Sequence, residues 1–148
     1  MNSSRTLFFP AMVFLVVVGG CASGPSSLDQ GGGPGPELTD VKWVWAGTKY
    51  SNDTEAVPTD PSHYTLTLRE DGTISVKADC NMAGGLWKEE DSHITITVTH
   101  STMAMCPPES LDSVYLKDLD RAAIPFFRDG NLYLDLPYDS GTMRFARP

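Results

Sequence analysis

The chain has 148 residues, with 19 acidic side chains against 11 basic ones and a formal net charge of −8 at neutral pH. This length suits one domain, and 41% hydrophobic with 20% charged residues is typical of a globular protein. Because an acidic surface repels phosphate backbones and anionic headgroups, the charge excludes nucleic acid as an expected partner and electrostatics as a means of membrane attachment.

The N-terminus has the pattern of an export signal that ends at a cysteine. Arg5 provides a positive start, and the apolar stretch 7–18 suits a signal peptide but is shorter than the roughly 20 residues of a spanning helix. The residues at 18–20, Val-Gly-Gly, directly precede Cys21 and resemble the bacterial lipobox. The resemblance implies that the signal peptide 1–20 is removed and that the Cys21 thiol carries a diacylglyceryl group.

This lipid on Cys21 would anchor the protein in a membrane of the cell envelope, facing the periplasm or the exterior. One fatty chain binds only marginally, whereas two or three anchor a protein stably. Ala22 follows the cysteine, and a residue other than Asp at that position indicates the outer membrane in a bacterium that has two membranes. A plain secretory leader with an incidental cysteine and an uncleaved anchor are the alternatives.

Residues 22–37 are rich in Gly, Pro and Ser and show no apolar period, so that 21–37 is predicted to be a lipidated cysteine with a flexible tether. Such a spacer reaches about 20–25 Å. The remaining residues, 38–148, form the predicted domain.

Within this domain most apolar residues alternate with polar ones, which is the period of half-buried strands. Turn signals occur at 70–72 and 137–141 and at Asp129-Gly130, and Gly84-Gly85 is interpreted as a break between strands. The alternating apolar positions are Val41, Trp43, Trp45, Tyr64, Leu66, Leu68, Ile74, Val76, Ala78, Ile94, Ile96, Val98, Leu132, Leu134, Leu136, Met143 and Phe145.

One segment has helical spacing instead. A helix is predicted from about Pro108 to Ala122, because proline favours a helix start and apolar residues then recur on one face. The pattern therefore predicts an α+β fold, in which about six to eight antiparallel strands pack on one helix that covers a face of the sheet.

The chain has three cysteines, and an odd number in an exported protein needs an explanation. If Cys21 takes the lipid, Cys80 and Cys106 remain and should pair in an oxidising compartment. Closing this loop of about 26 residues would stabilise the domain by roughly 3–4 kcal/mol.

The residues around these two cysteines resemble the META domain, also called the HslJ-like domain, over nearly all of 38–145. The resemblance rests on Asp79-Cys80-Asn81, Gly84-Gly85, Thr102 to Cys106, a helix with Leu111, Tyr115, Leu116 and Leu119, Trp43, Leu132-x-Leu134 and Gly141. Two positions depart from the family, which often has Gly where this chain has Asp79 and Met where it has Ala104.

The resemblance implies a curved antiparallel sheet, a partly open barrel, around one helix. Members are often small envelope lipoproteins, and some are linked to heat shock or antibiotic tolerance. Since the family has no established activity or cofactor, the resemblance implies no catalytic residue, no metal and no cofactor. The sequence likewise lacks a G-x-S-x-G elbow, a zinc spacing, a P-loop and a dinucleotide fingerprint.

The preferred function is therefore non-enzymatic: a binding or structural role in envelope integrity or stress tolerance, with an envelope protein as a possible partner. One alternative is a copper- or redox-handling lipoprotein, because the thioethers of Met103 and Met105 are soft ligands that suit Cu(I); otherwise these residues would fill an irregular core. The other is an adaptor or inhibitor that docks an envelope enzyme through an exposed strand edge.

Overall fold

The alternating segments pair into one curved antiparallel sheet in the computed structural model, which describes residues 38–148. The predicted signal peptide, Cys21 and the tether lie outside the described residues. The strands are β1 (Trp43–Tyr50), β2 (Glu55–Ala56), β3 (Tyr64–Leu68), β4 (Thr73–Ala78), β5 (Asn81–Glu90), β6 (His93–Ser101), β7 (Ile124–Arg128), β8 (Asn131–Asp135) and β9 (Gly141–Ala146).

Eight of these strands form a continuous sheet in the order β6-β5-β4-β3-β1-β9-β8-β7, and the two-residue β2 pairs with β1. The helix α1 (Asp112–Asp120) is the only α-helix in the part of the chain described. The predicted α+β half-barrel with one helix is therefore confirmed.

The two edge strands of the sheet approach each other near the helix. The Ile94 amide of β6 donates to the carbonyl of Ala123 at 2.9 Å, and the Val98 amide of β6 donates to the Asp120 carboxylate at 3.2 Å. The helix end thus supplies partners to edge amides that a half-barrel would otherwise leave open.

The core lies on the inner face of the sheet, where the alternating apolar residues meet the helix. Trp45, Tyr64 and Tyr115 form an aromatic cluster, in which the Trp45 and Tyr115 ring centroids are 4.8 Å apart and stacked. Leu119, one turn after Tyr115 on the helix, is also fully buried. The predicted helical stripe is therefore the face that covers the sheet.

The helix starts four residues later than predicted. Residues 107–111 form a turn, in which the Ser110 amide donates to the carbonyl of Pro107 at 2.9 Å. The Leu111 amide then donates to the hydroxyl of Tyr64 at 3.0 Å. The amides of the two residues before the helix thus have partners outside it, which sequence spacing does not reveal.

The predicted break at Gly84-Gly85 is wrong, because both residues lie inside the continuous strand β5. The pairing with β6 shifts register between them, as in a β-bulge. A Cβ atom on Gly85 would lie 1.9 Å from the carbonyl oxygen of Thr97. Glycine is therefore required here by the close approach of β6 and not by a turn.

Candidate functional site

Two features of the domain bear on function. One is the Cys80–Cys106 disulfide with the hydrogen bonds of Asn81 beside it, which we call the knot and which includes residues of the family resemblance. The other is a groove on the outer face of the sheet. In the knot, Cys80 and Cys106 form the predicted disulfide, with their Cα atoms 5.5 Å apart and a separation of 26 positions in sequence. Neither thiol is therefore available as a nucleophile or as a thiolate ligand.

Asn81 organises the rest of this knot. Its side-chain oxygen accepts hydrogen bonds from the Thr102 hydroxyl at 2.9 Å and from the Ala104 amide at 2.8 Å, and its amide group donates to the Asp112 carboxylate at 3.0 Å. Asn81 is only 4% exposed. The Cys-Asn and Thr-x-x-x-Cys motifs thus tie the loop after β6 to the turn before β5 and to the helix, which is a structural role.

Asp79 occupies the position at which the family resemblance leads us to expect glycine, and the backbone there is of the kind that glycine favours. Its φ is 56°, in the left-handed region that glycine enters at little cost and that Asp tolerates better than most other residues. In this chain the Asp79 carboxylate lies 3.0 Å from Nδ1 of His63, a contact that glycine cannot make.

Neither His63 nor His100 forms a hydrolase constellation with the groups around it. The His63 ring lies near the carboxylates of Asp79 and Asp60, but the Ser62 hydroxyl donates to Asp60 rather than to the ring. His100 has a hydroxyl neighbour in Thr99 at 3.1 Å but forms no ion pair with a carboxylate within residues 38–148. Each arrangement therefore lacks one component of the nucleophile, base and orienting acid that the chemistry needs.

The methionines beside the disulfide point into solvent. Met103 is 96% exposed and Met105 is 100% exposed, so the expectation that they would fill an irregular core is wrong. In the described part of the chain no group of three or more His, Cys, Asp or Glu side chains could hold a metal ion. With Cys106 oxidised, the copper hypothesis loses its thiolate ligand, and its two thioethers lie in a solvated loop.

The second feature, which the sequence pattern did not predict, is a groove of about 580 Å³ on the outer face of the sheet. We call it the outer groove; its lining residues include Gly47, Lys49, Val57, Phe126, Arg128, Tyr133, Asp135, Thr142 and Arg144. Its size falls within the range of small-molecule sites.

Strand register builds the floor of the outer groove in two rows across the sheet. In one row Phe126 pairs with Tyr133, Tyr133 with Arg144, and Arg144 with Gly47. The row ends at Gly47, which has only backbone atoms. No side chain fits there, because a Cβ atom on Gly47 would lie 2.8 Å from the carbonyl oxygen of Ala56.

The second row is polar. In it Asp135 pairs with Thr142, Thr142 with Lys49, and Lys49 with Glu55 of β2. The Thr142 hydroxyl donates a hydrogen bond to one carboxylate oxygen of Asp135, which orients that side chain.

The aromatic side chains of the outer groove stand against each other beneath an arginine. The Phe126 and Tyr133 rings are stacked, with centroids 5.1 Å apart and planes inclined by 12°. The Arg128 guanidinium carbon lies 5.8 Å from each ring centroid, within the range of a cation–π contact. The arrangement places aromatic rings beside a cationic side chain.

Within residues 38–148 no helix has the length and apolarity needed to cross a bilayer. The fold is that of a small half-barrel domain closed by one helix, and its candidate site is a surface groove with mixed polar and aromatic walls. Comparison with known proteins gives the family of this domain.

The family model described as META domain matches residues 36–147, which is most of the chain. This chain belongs to the META domain family. An NMR structure of a protein from Burkholderia xenovorans is similar, with a TM-score of 0.59 and 25% identity over 75% of this chain and 83% of that one.

A crystal structure of a DUF4847 family protein from Bacteroides vulgatus ATCC 8482 has a TM-score of 0.56 and 14% identity, covering 77% of this chain and 98% of that one. That likeness concerns the fold alone. No curated protein matches the chain significantly.

Proposed function

We propose that this chain is a lipoprotein of the cell envelope whose META domain acts without catalysis, as a binding module that contributes to envelope integrity or stress tolerance. The observation that carries the proposal is that two of the three cysteines pair with each other and one remains. The disulfide uses Cys80 and Cys106. Cys21 is then the one remaining thiol, and it directly follows an apolar leader and Val-Gly-Gly.

Two arrangements in the domain support a binding role over a catalytic one. The histidine sites each lack a component of a hydrolase, as described above, whereas the outer groove combines size, aromatic surface and charged donors. Binding sites of this kind are concave, with a few polar groups that fix the orientation of a ligand.

The strand-edge alternative has less support from the fold. On β6, the amides of Ile94 and Val98 already donate to the helix end. On β7, Pro125 has no amide hydrogen to offer to an added strand. Both edges therefore present fewer backbone groups than β-augmentation uses.

Anchoring can be tested with the full chain in a bacterial host by comparing wild type with Cys21→Ser. We expect the wild-type protein in the membrane fraction, with an N-terminal peptide whose mass includes a diacylglyceryl thioether. Cys21→Ser should lose the diacylglyceryl mass, because serine cannot accept the lipid as a thioether. Ser23→Ala, two residues away, is the matched control and should behave as wild type.

An unmodified Cys21 in the wild-type protein would contradict the anchoring proposal. That result would favour the plain secretory leader or the uncleaved anchor.

A further inference from the structure

The outer groove gathers cationic side chains in a protein that is acidic overall. Lys49, Arg128 and Arg144 line it, although the chain carries a net charge of −8. None of the three forms an ion pair with a carboxylate of residues 38–148; the ion pairs there join other groups. Cations that lack an ion-pair partner around a concave surface favour an anionic ligand.

The balance of charges in the outer groove fits a singly charged ligand. Asp135 and Glu55 also line it, so three cationic groups face two carboxylates. One net positive charge remains, and one carboxylate of a ligand would neutralise it. A phosphate dianion would leave an excess of negative charge beside two fixed carboxylates.

The remaining surfaces of the outer groove suit a ring that carries hydroxyl groups. The half-buried rings of Phe126 and Tyr133 provide an apolar surface against which the C–H groups of a sugar can pack. Thr142 donates to one carboxylate oxygen of Asp135, and the other oxygen has no hydrogen-bond donor within the described residues. A carboxylate accepts from hydroxyl groups, and guanidinium groups donate to a carboxylate in two parallel bonds.

We propose that the outer groove binds a carboxylated sugar of the hexuronate type, with its carboxylate at Arg144 and Lys49, its hydroxyls at Asp135 and its ring against Tyr133. This assignment rests on the proposed function, because it names the ligand class of that binding module. A lipid-anchored domain held near an envelope surface would thereby contact acidic saccharides on that surface.

The test is a titration of the ¹⁵N-labelled full chain in detergent, followed by NMR. Galacturonate is the probe. Galactose, galactose 6-phosphate and triglutamate differ from it in charge or in the ring. We expect galacturonate to shift the amide signals of Thr142, Arg144 and Tyr133 saturably, with a dissociation constant of about 1 mM or tighter. Each of the other three probes should bind at least about tenfold more weakly than galacturonate.

Variants locate the site. Arg144→Gln should weaken galacturonate binding roughly tenfold, because it removes a charged hydrogen-bond donor. Arg69→Gln, which changes another exposed arginine in the turn after β3, should bind as wild type. Unchanged amide spectra away from the outer groove will show that both variants are folded.

The proposal is overturned if galacturonate causes no saturable shift, if galactose binds as tightly, or if Arg144→Gln and Arg69→Gln bind equally. Tighter binding of galactose 6-phosphate would assign a phosphorylated ligand instead, and tighter binding of triglutamate an acidic peptide. The fractionation of Cys21→Ser is independent of this titration. A failed titration with intact anchoring therefore refutes the ligand and leaves the anchored module standing.

Discussion

Two tyrosines of the same aromatic cluster provide a matched test of the core. Tyr64 and Tyr115 have ring centroids 5.7 Å apart, and both side chains are buried. The Tyr64 hydroxyl accepts a hydrogen bond from the Leu111 amide at 3.0 Å, just before the helix. The Tyr115 hydroxyl has no hydrogen-bond partner among the described residues, and burial raises the pKa of this phenol well above its usual value.

Removing the two hydroxyls should therefore change stability in opposite directions. A buried polar group without a partner costs about 1–3 kcal/mol of desolvation, so Tyr115→Phe should stabilise the domain by about 1 kcal/mol. Tyr64→Phe removes a hydrogen bond and leaves the Leu111 amide unpaired, so it should destabilise by roughly 1–2 kcal/mol. For a domain of this size, 1 kcal/mol corresponds to a shift in Tm of about 4 °C.

Urea and thermal unfolding of the disulfide-bonded protein at pH 7 would measure both changes. Because burial raises the folded-state pKa of Tyr115, its stability contribution is complete below the unfolded value of 10.0 and declines as pH rises above it. Tyr115→Phe should therefore also reduce the loss of stability between pH 9 and 11. A destabilised Tyr115→Phe together with a neutral Tyr64→Phe would refute this account, since it would mean that the Tyr115 hydroxyl is the paired one.

Three further predictions concern the knot and one exposed turn. Asn81→Ala should destabilise the domain by roughly 2–4 kcal/mol in urea unfolding, because its partners in a buried network lose their hydrogen bonds. The control Asn131→Ala, at the β7–β8 hairpin, should change stability by less than about 0.5 kcal/mol. Equal effects of the two substitutions would argue against the knot. Reducing the Cys80–Cys106 disulfide should cost roughly 3–4 kcal/mol, and a Tm unchanged by reductant would contradict this. Hydrogen bonds from the Thr73 hydroxyl and amide hold the pKa of Asp71 below 3.8, so its contribution is present above that value and is lost as pH falls through the lower folded pKa. Asp71→Asn should therefore flatten the acid side of the stability profile, and an unchanged profile would show that these bonds do not favour the charged form.

Much of the fold could be predicted because alternation reports burial directly. Trp43, Trp45 and Leu132 lie in the core where their phase places them, and Tyr115 lies on the predicted helix face. The error at Gly84-Gly85 has a different origin. Glycine is typical both of turns and of close strand approach, and only the position of Thr97 on the paired strand distinguishes the two.

The outer groove could not be predicted because distant segments form it. Arg144 lies beside Tyr133 through the β8–β9 pairing and beside Gly47 through the β1–β9 pairing, which joins the two ends of the domain. One signal was present in the sequence. Phe126 and Tyr133 occupy the alternating positions of β7 and β8 that face away from the core, where polar residues are expected.

The residues that identify the family and those that would select a ligand lie in different parts of the domain. Cys80, Asn81 and Thr102 hold a loop and a helix in place through the disulfide and the amide network. Arg144 and Tyr133 belong to other strands and make none of those bonds. Because the knot constrains only the fold, a relative can keep it while the outer face carries different side chains. Membership of the META domain family therefore predicts the half-barrel of this chain, whereas its ligand has to be inferred from the charges and rings of its own outer groove.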